Sequence, residues 1–152
     1  MTATFSSQSE SAPSAKQAYR QALQLTLQQA MRCHEANQLP EAEQLYRAVL
    51  QAQGEHPEAN HNLGILMLEG RKFDASLPYF EAAVAAKPDS SRYWLSYIEA
   101  LVLAGQTELA QRTLAFGREH GLEGDAVEAL ARLIAAGSTA QAHPGAKQAL
   151  SA

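Results

Sequence analysis

The sequence predicts an all-α fold, a right-handed α-solenoid of three helical hairpins followed by a C-terminal capping helix. Three observations support this prediction. Ala, Leu, Gln and Glu dominate the 152 residues and only 7% of the residues are aromatic, a balance that favours helices over strands. Short breaks with Gly, Pro or Asn separate stretches that have the length of short helices. The pattern of residue classes also repeats every 34 residues, which is typical of stacked helical pairs.

The 34-residue repeat becomes visible when the chain is aligned with itself. Tyr46 then aligns with Phe80 and Leu114, which are all large and apolar. Further aligned sets are Ala30, Gly64 and Ile98; Cys33, Met67 and Leu101; Asn37, Arg71 and Gly105; and Ala42, Ser76 and Ala110. A single hairpin cannot cover its own apolar face, so such repeats stack and bury a continuous core.

The two ends of the chain differ from its middle in composition. Residues 1–14 are polar and predict a disordered leader, and residues 137–152 predict a flexible tail. The helical domain is expected between them, over residues 15–136. Its parts are the three hairpins at about residues 23–56, 57–90 and 91–124, and the capping helix at 125–136.

Local signals mark where the helices start. In the first hairpin Pro40 is followed by Glu41, which places proline in the first helical turn and an acid near the positive end of the helix dipole. In the second hairpin Asp74 can cap a helix, and Pro78 lies close enough to its start to be tolerated. The expected N-caps of the last three helices are Ser91, Thr107 and Asp125.

The repeat resembles the tetratricopeptide repeat over about residues 23–122, since 34 residues is that family's period. The second copy contains the signature residues Leu63, Gly64, Met67, Ser76, Phe80 and Pro88, and the third contains Trp94, Tyr97, Ile98, Leu101, Ala110 and Leu114. The first copy contains Ala30, Ala42 and Tyr46. The resemblance implies that the first helix of each pair lines a concave side that binds proteins.

Two kinds of tetratricopeptide array refine this comparison. Arrays that clamp a C-terminal carboxylate use Lys and Asn where this chain has Leu27 and Met31, and only Asn62 and Arg92 fit that pattern, which disfavours a chaperone tail as ligand. Residues 41–50 and 117–124 are most similar to the bacterial O-GlcNAc-transferase/SPINDLY-like N-terminal arrays. In that family an Asn ladder holds the peptide backbone. Asn62 matches the ladder, but Gln28 and Ser96 occupy its other two places.

No motif indicates catalysis, so we expect no enzyme activity, no cofactor and no metal. Cys33 aligns with Met67 and Leu101, and it is therefore interpreted as a small core residue. The five histidines form no i, i+4 pair that could bind a metal on one helix face. A catalytic domain often follows the O-GlcNAc-transferase-like arrays, and we expect none in this chain.

Charge and hydropathy exclude two further classes of partner. The net charge is −4 and there is no block of Lys or Arg, so we expect no nucleic acid. The longest apolar run, Ile65 to Leu68, is too short to span a bilayer, so we expect no membrane contact. A single cysteine cannot form an intrachain disulfide, which favours a cytoplasmic location.

The predicted binding site is the inner stripe of the first helix in each hairpin. This stripe is rich in apolar residues, and a large apolar patch usually marks an interaction surface. The predicted groove residues are Leu27, Met31, His34, His61, Asn62, Ile65, Leu68, Arg92, Leu95, Glu99 and Val102. The leading hypothesis is an adaptor or scaffold module that binds a peptide or helix of a partner protein.

Two other hypotheses remain open. The chain could be the recruitment module of a glycosyltransferase-like enzyme, or the partner of one. It could also be a structural homodimer in which the same apolar stripe is covered by a second copy, or the stripe could be covered by the chain's own leader or tail.

Overall fold

A computed structural model describes residues 12–141 of the chain. These residues form seven α-helices and no strand, which confirms the predicted all-α solenoid. The helices are α1 (Ala15–Glu35), α2 (Leu39–Ala52), α3 (Pro57–Glu69), α4 (Phe73–Ala86), α5 (Ser91–Leu103), α6 (Thr107–Glu119) and α7 (Asp125–Gln141).

The helices pack as three successive hairpins, α1–α2, α3–α4 and α5–α6, with α7 against the last of them. The odd-numbered helices also contact one another, α1 with α3, α3 with α5, and α5 with α7. Within residues 12–141 the helix pairs α2–α4 and α4–α6 make no such contact. The array is therefore curved, and α1, α3 and α5 line its concave side.

The helical domain is expected over residues 15–136, with the first repeat from about residue 23. Helix α1 begins at Ala15, and it therefore extends N-terminal to that repeat. Helix α7 continues to Gln141, beyond the expected end at residue 136. The predicted leader and tail fall mostly on residues 1–11 and 142–152, which lie outside the described residues.

The turn inside each hairpin is the same in all three repeats. Asn37, Arg71 and Gly105 have left-handed backbones, with φ angles of 58°, 57° and 74°. In each turn the amide after this residue donates to a carbonyl five residues earlier, as Gln38 does to Cys33 over 2.8 Å. This bond satisfies an otherwise unpaired carbonyl at the end of the first helix. The 34-residue alignment of these turn residues is thereby confirmed in the backbone.

The predicted N-caps are displaced because this turn fixes where the next helix begins. Lys72 and Gln106, which directly follow the left-handed residue, occupy the N-cap positions of α4 and α6. Asp74 and Thr107 therefore lie inside the first turns of these helices. Ser90 rather than Ser91 is the N-cap of α5.

The repeat positions for small and aromatic residues meet in the core. The α-carbon of Gly64 lies so close to Phe80 that a β-carbon there would be 2.9 Å from the ring. Tyr46 takes the place of Phe80 in the first repeat and is equally buried, beside Ala30. Cys33 is buried in the same cluster, as expected for a small core residue. A small residue on the first helix thus lets the aromatic side chain of the second helix pack against it.

Candidate groove on the concave face

The concave face carries a row of partly exposed apolar side chains from three helices. Met31 lies on α1, Ile65 and Leu68 lie on α3, and Leu95 and Val102 lie on α5. Leu103 at the end of α5 is 46% exposed and extends this row. The sequence pattern had assigned all of these except Leu103 to the inner stripe.

Three predicted groove residues are buried, Leu27, His61 and Asn62, and the first two correct the expectation. Leu27 is 0% exposed and belongs to the core cluster with Ala59 and Leu63 of α3. Since α1 contacts α3, this part of the stripe is covered by the neighbouring helix. His61 is 3% exposed because the rings of Phe80 and Tyr93 pack against it. Neither side chain offers the surface for a partner that the stripe predicted.

A polar cluster links α3 to α5 beneath the groove. Arg92 donates to Nδ1 of His61 over 3.2 Å and to Oδ1 of Asn62 over 3.5 Å. Because a guanidinium only donates, His61 Nδ1 must accept, and its Nε2–H donates to Ser96 Oγ at 2.8 Å. These bonds fix the tautomer of His61 and the position of Arg92.

Burial and charge both keep His61 neutral. Burial of the ring, followed by the positive charge of Arg92, lowers the pKa of His61 to about 4. Asn62 Oδ1 opposes this only in part, because it can accept a hydrogen bond from Nδ1 only when the ring is protonated. At neutral pH the cluster therefore carries one positive charge, on Arg92. Glu99, the remaining predicted residue of α5, is exposed on the same helix.

A depression of about 300 Å³ opens between α1 and α3. It brings together three predicted groove residues, Met31, His34 and Asn62, with three that the prediction omitted, Glu35, Tyr46 and Glu69. His34 Nε2 is 2.7 Å from Glu69 Oε2, and His34 Nδ1 is 3.4 Å from the Tyr46 hydroxyl. Because a carboxylate only accepts, Nε2–H of His34 donates to Glu69, and the contact of His34 Nδ1 with the Tyr46 hydroxyl extends this network to α2. We refer to these six residues as the α1–α3 pocket.

The electrostatic character of the α1–α3 pocket is acidic. Burial, followed by the negative charges of Glu58, Glu35 and Glu69, raises the pKa of Tyr46 to about 12. The omitted carboxylates had a sequence signal, because Glu35 and Glu69 directly follow the stripe residues His34 and Leu68, with Leu103 at the same place in the third repeat. The predicted stripe takes every third or fourth residue of each helix, with Asn62 in addition, and so omits both glutamates.

The described residues show no arrangement suited to metal binding or to crossing a membrane. No group of three or more His, Cys, Asp or Glu side chains among them is placed to hold a metal ion. Within residues 12–141, no helix has both the length and the hydropathy that a bilayer requires.

Comparisons with known proteins agree with this geometry. A tetratricopeptide-repeat family model matches residues 34–94. No curated protein matches the sequence. The chain is similar to the first TPR domain of Spaghetti (RPAP3) bound to the HSP90 peptide SRMEEVD, with 17% identity, a TM-score of 0.69, and coverage of 80% of this chain and 94% of that one.

Two further solved structures share the fold. The TPR2B domain of yeast Sti1 in complex with pHsp70 is 14% identical, with a TM-score of 0.66 and coverage of 78% of this chain and 97% of that one. MamA (MSR-1) is 17% identical, with a TM-score of 0.66 and coverage of 84% and 71%. These structures show that the chain has the fold of an all-α solenoid of helical hairpins, and the family model places tetratricopeptide-repeat similarity on residues 34–94.

Proposed function

We propose that this chain is a protein-interaction module, an adaptor that binds a peptide or helix of a partner protein along the concave face of α1, α3 and α5. The observation that carries the proposal is the row of partly exposed apolar side chains, Met31, Ile65, Leu68, Leu95 and Val102, on a face bordered by fixed polar groups. Apolar contacts supply affinity in such grooves, and the polar groups orient the ligand.

The structural neighbours support binding of a peptide in particular. The Spaghetti domain binds an HSP90 peptide, and the Sti1 domain forms a complex with pHsp70. At 14–17% identity these proteins share the fold rather than the ligand. The neighbours therefore support a peptide as the kind of ligand. The sequence that this peptide has must be inferred from the side chains of this chain.

Site-specific photocrosslinking in the native host tests the proposal. A photoreactive phenylalanine analogue replaces Leu68 in the groove or, as a matched control, Leu133, which is exposed on α7. We expect the Leu68 probe to capture a specific protein that the Leu133 probe does not. Mass spectrometry of the product distinguishes a partner protein, a glycosyltransferase-like enzyme and a second copy of this chain.

The captured partner is then measured against charged groove variants. Leu68→Asp combined with Leu95→Asp is expected to weaken binding at least about tenfold, because a carboxylate must be desolvated in an apolar contact. Leu133→Asp serves as the control for an added surface charge and is expected to bind like wild type. The proposal fails if the groove variant, shown by circular dichroism to be folded, binds the partner as tightly as wild type does.

A further inference from the structure

Resting on the proposed function, we infer that the bound peptide carries a lysine or arginine side chain that enters the α1–α3 pocket. The groove then selects basic segments and rejects acidic ones. The argument uses the walls of the pocket, its size and its place in the groove.

The walls of the pocket carry negative charge and no lysine or arginine. Two of its six residues, Glu35 and Glu69, are carboxylates. Glu69 accepts from His34 through one oxygen, Oε2. No ion pair within residues 12–141 involves the Glu35 carboxylate. An ammonium or guanidinium group would complete this arrangement with charge-assisted hydrogen bonds.

The size and lining of the pocket fit one long side chain. Its volume of about 300 Å³ is at the lower end for ligand pockets. Met31 contributes an apolar wall, along which the methylene stem of a lysine or arginine can pack while the charged end reaches the carboxylates. The pocket therefore has an apolar wall and an acidic end, which match the apolar stem and the positive end of a lysine or arginine side chain.

The pocket is continuous with the apolar groove. Met31 and Asn62 line the pocket and also belong to the inner stripe, and Glu69 directly follows Leu68. A peptide on the groove can thus place one basic side chain in the pocket and neighbouring apolar side chains on the row. Arg92, the cation among the predicted groove residues, donates hydrogen bonds to His61 and Asn62. None of the ion pairs within residues 12–141 joins it to a pocket carboxylate.

Fluorescent peptide pools test the inference directly. The pools share randomised apolar flanks and differ at one fixed position, which is Lys, Arg, norleucine or Glu. We expect the Lys and Arg pools to bind wild type at least about tenfold more tightly than the norleucine pool at low salt. This preference should shrink at high salt, and the Glu pool should bind most weakly.

Charge-removing variants locate the effect. Glu35→Gln and Glu69→Gln are expected to reduce the preference for the basic pools, and the double variant is expected to abolish it. Gln at position 69 still offers an oxygen to His34, so the contact between α1 and α3 is kept. Glu123→Gln, in the exposed turn before α7, is the matched control for a lost negative charge and should leave the preference unchanged.

The outcomes separate this inference from the proposed function. If all pools bind wild type equally and lose binding to the Leu68→Asp, Leu95→Asp variant, the proposed groove is supported. The inference that the ligand carries a basic side chain is then wrong. A preference for basic pools that survives in the folded Glu35→Gln, Glu69→Gln variant also overturns the pocket assignment. If no pool binds, the inference fails. The crosslinking experiment then tests independently whether the groove binds a partner.

Discussion

Arg71 shows how the repeat imposes a backbone conformation on a residue that does not favour it. Its φ of 57° is left-handed, like that of Asn37 and Gly105 at the equivalent turns. For a residue with a β-carbon this conformation costs about 1–2 kcal/mol. The hydrogen bond from Lys72 to Met67, 2.9 Å long, closes the turn around it.

Replacing Arg71 with glycine should therefore stabilise the protein. The relief of backbone strain is offset by the extra entropy of glycine in the unfolded chain, about 0.5–1 kcal/mol, and by loss of the exposed contact of Arg71 with the Phe73 ring. We expect a net gain of roughly 0.5 kcal/mol in the free energy of unfolding, measured by urea denaturation. The reverse change at the equivalent turn, Gly105→Ala, should lower stability, and the explanation is wrong if both changes have the same sign.

His61 makes stability depend on pH. Its pKa is about 4 in the folded protein, below the ordinary value of 6.5. The unfolded chain therefore takes up a proton between these values while the folded protein does not. The contribution of His61 to the free energy of unfolding is fully present above pH 6.5 and is lost as the pH falls towards 4. The loss amounts to about 3 kcal/mol, since each pKa unit corresponds to about 1.4 kcal/mol.

An NMR titration of the imidazole resonances measures this effect without a destabilising mutation. We expect one histidine to remain neutral well below pH 6, and Arg92→Gln to raise the pKa of that histidine by removing the nearby positive charge. A His61 resonance that titrates near pH 6.5 in folded wild type would contradict the prediction.

At the scale of helices, the sequence pattern predicted which segments are helical and where each hairpin turns. It failed at the helix starts, because the choice between Lys72 and Asp74 as N-cap is made by the closed turn that precedes them rather than by cap preference. It also failed for Leu27, since a period of 3.6 residues assigns a helix face but does not say where the next helix covers that face.

Helix α7 offers a test of the predicted capping role through two adjacent residues. Ile134 is 3% exposed and packs into the cluster formed with α5 and α6, whereas Leu133 is 52% exposed. Ile134→Ala should lower the free energy of unfolding by about 2–5 kcal/mol, and Leu133→Ala should change it by less than about 0.5 kcal/mol. Similar losses for both variants, measured by urea denaturation, would mean that α7 does not cap the array through this face.

For the whole molecule, contacts between repeats determine the candidate site, and these were beyond the sequence pattern. His34 contacts Tyr46 and Glu69, which lie 12 and 35 residues away along the chain. The repeat alignment placed His34 on the inner stripe but gave no information on which side chains of α2 and α3 would reach it. The apolar row was predictable because it follows from periodicity, whereas the acidic pocket depends on how neighbouring hairpins are joined.

We expect the contacts between repeats to make the array unfold as a unit, and a substitution in the middle repeat can test this. Phe80 in α4 is fully buried, and its ring contacts Gly64 and His61 of α3. Phe80→Ala should cost about 3–5 kcal/mol through the cavity that it leaves. About three repeats are needed for a stable array. We therefore expect the loss in the free energy of unfolding to appear equally in the third repeat.

Trp94 of α5, the only tryptophan, reports on that repeat. We expect its fluorescence and the helical circular dichroism to shift to the same lower urea midpoint in Phe80→Ala. If the Trp94 signal keeps its wild-type midpoint while helicity is lost earlier, the third hairpin and α7 are stable without the second, and the array is not a single cooperative unit.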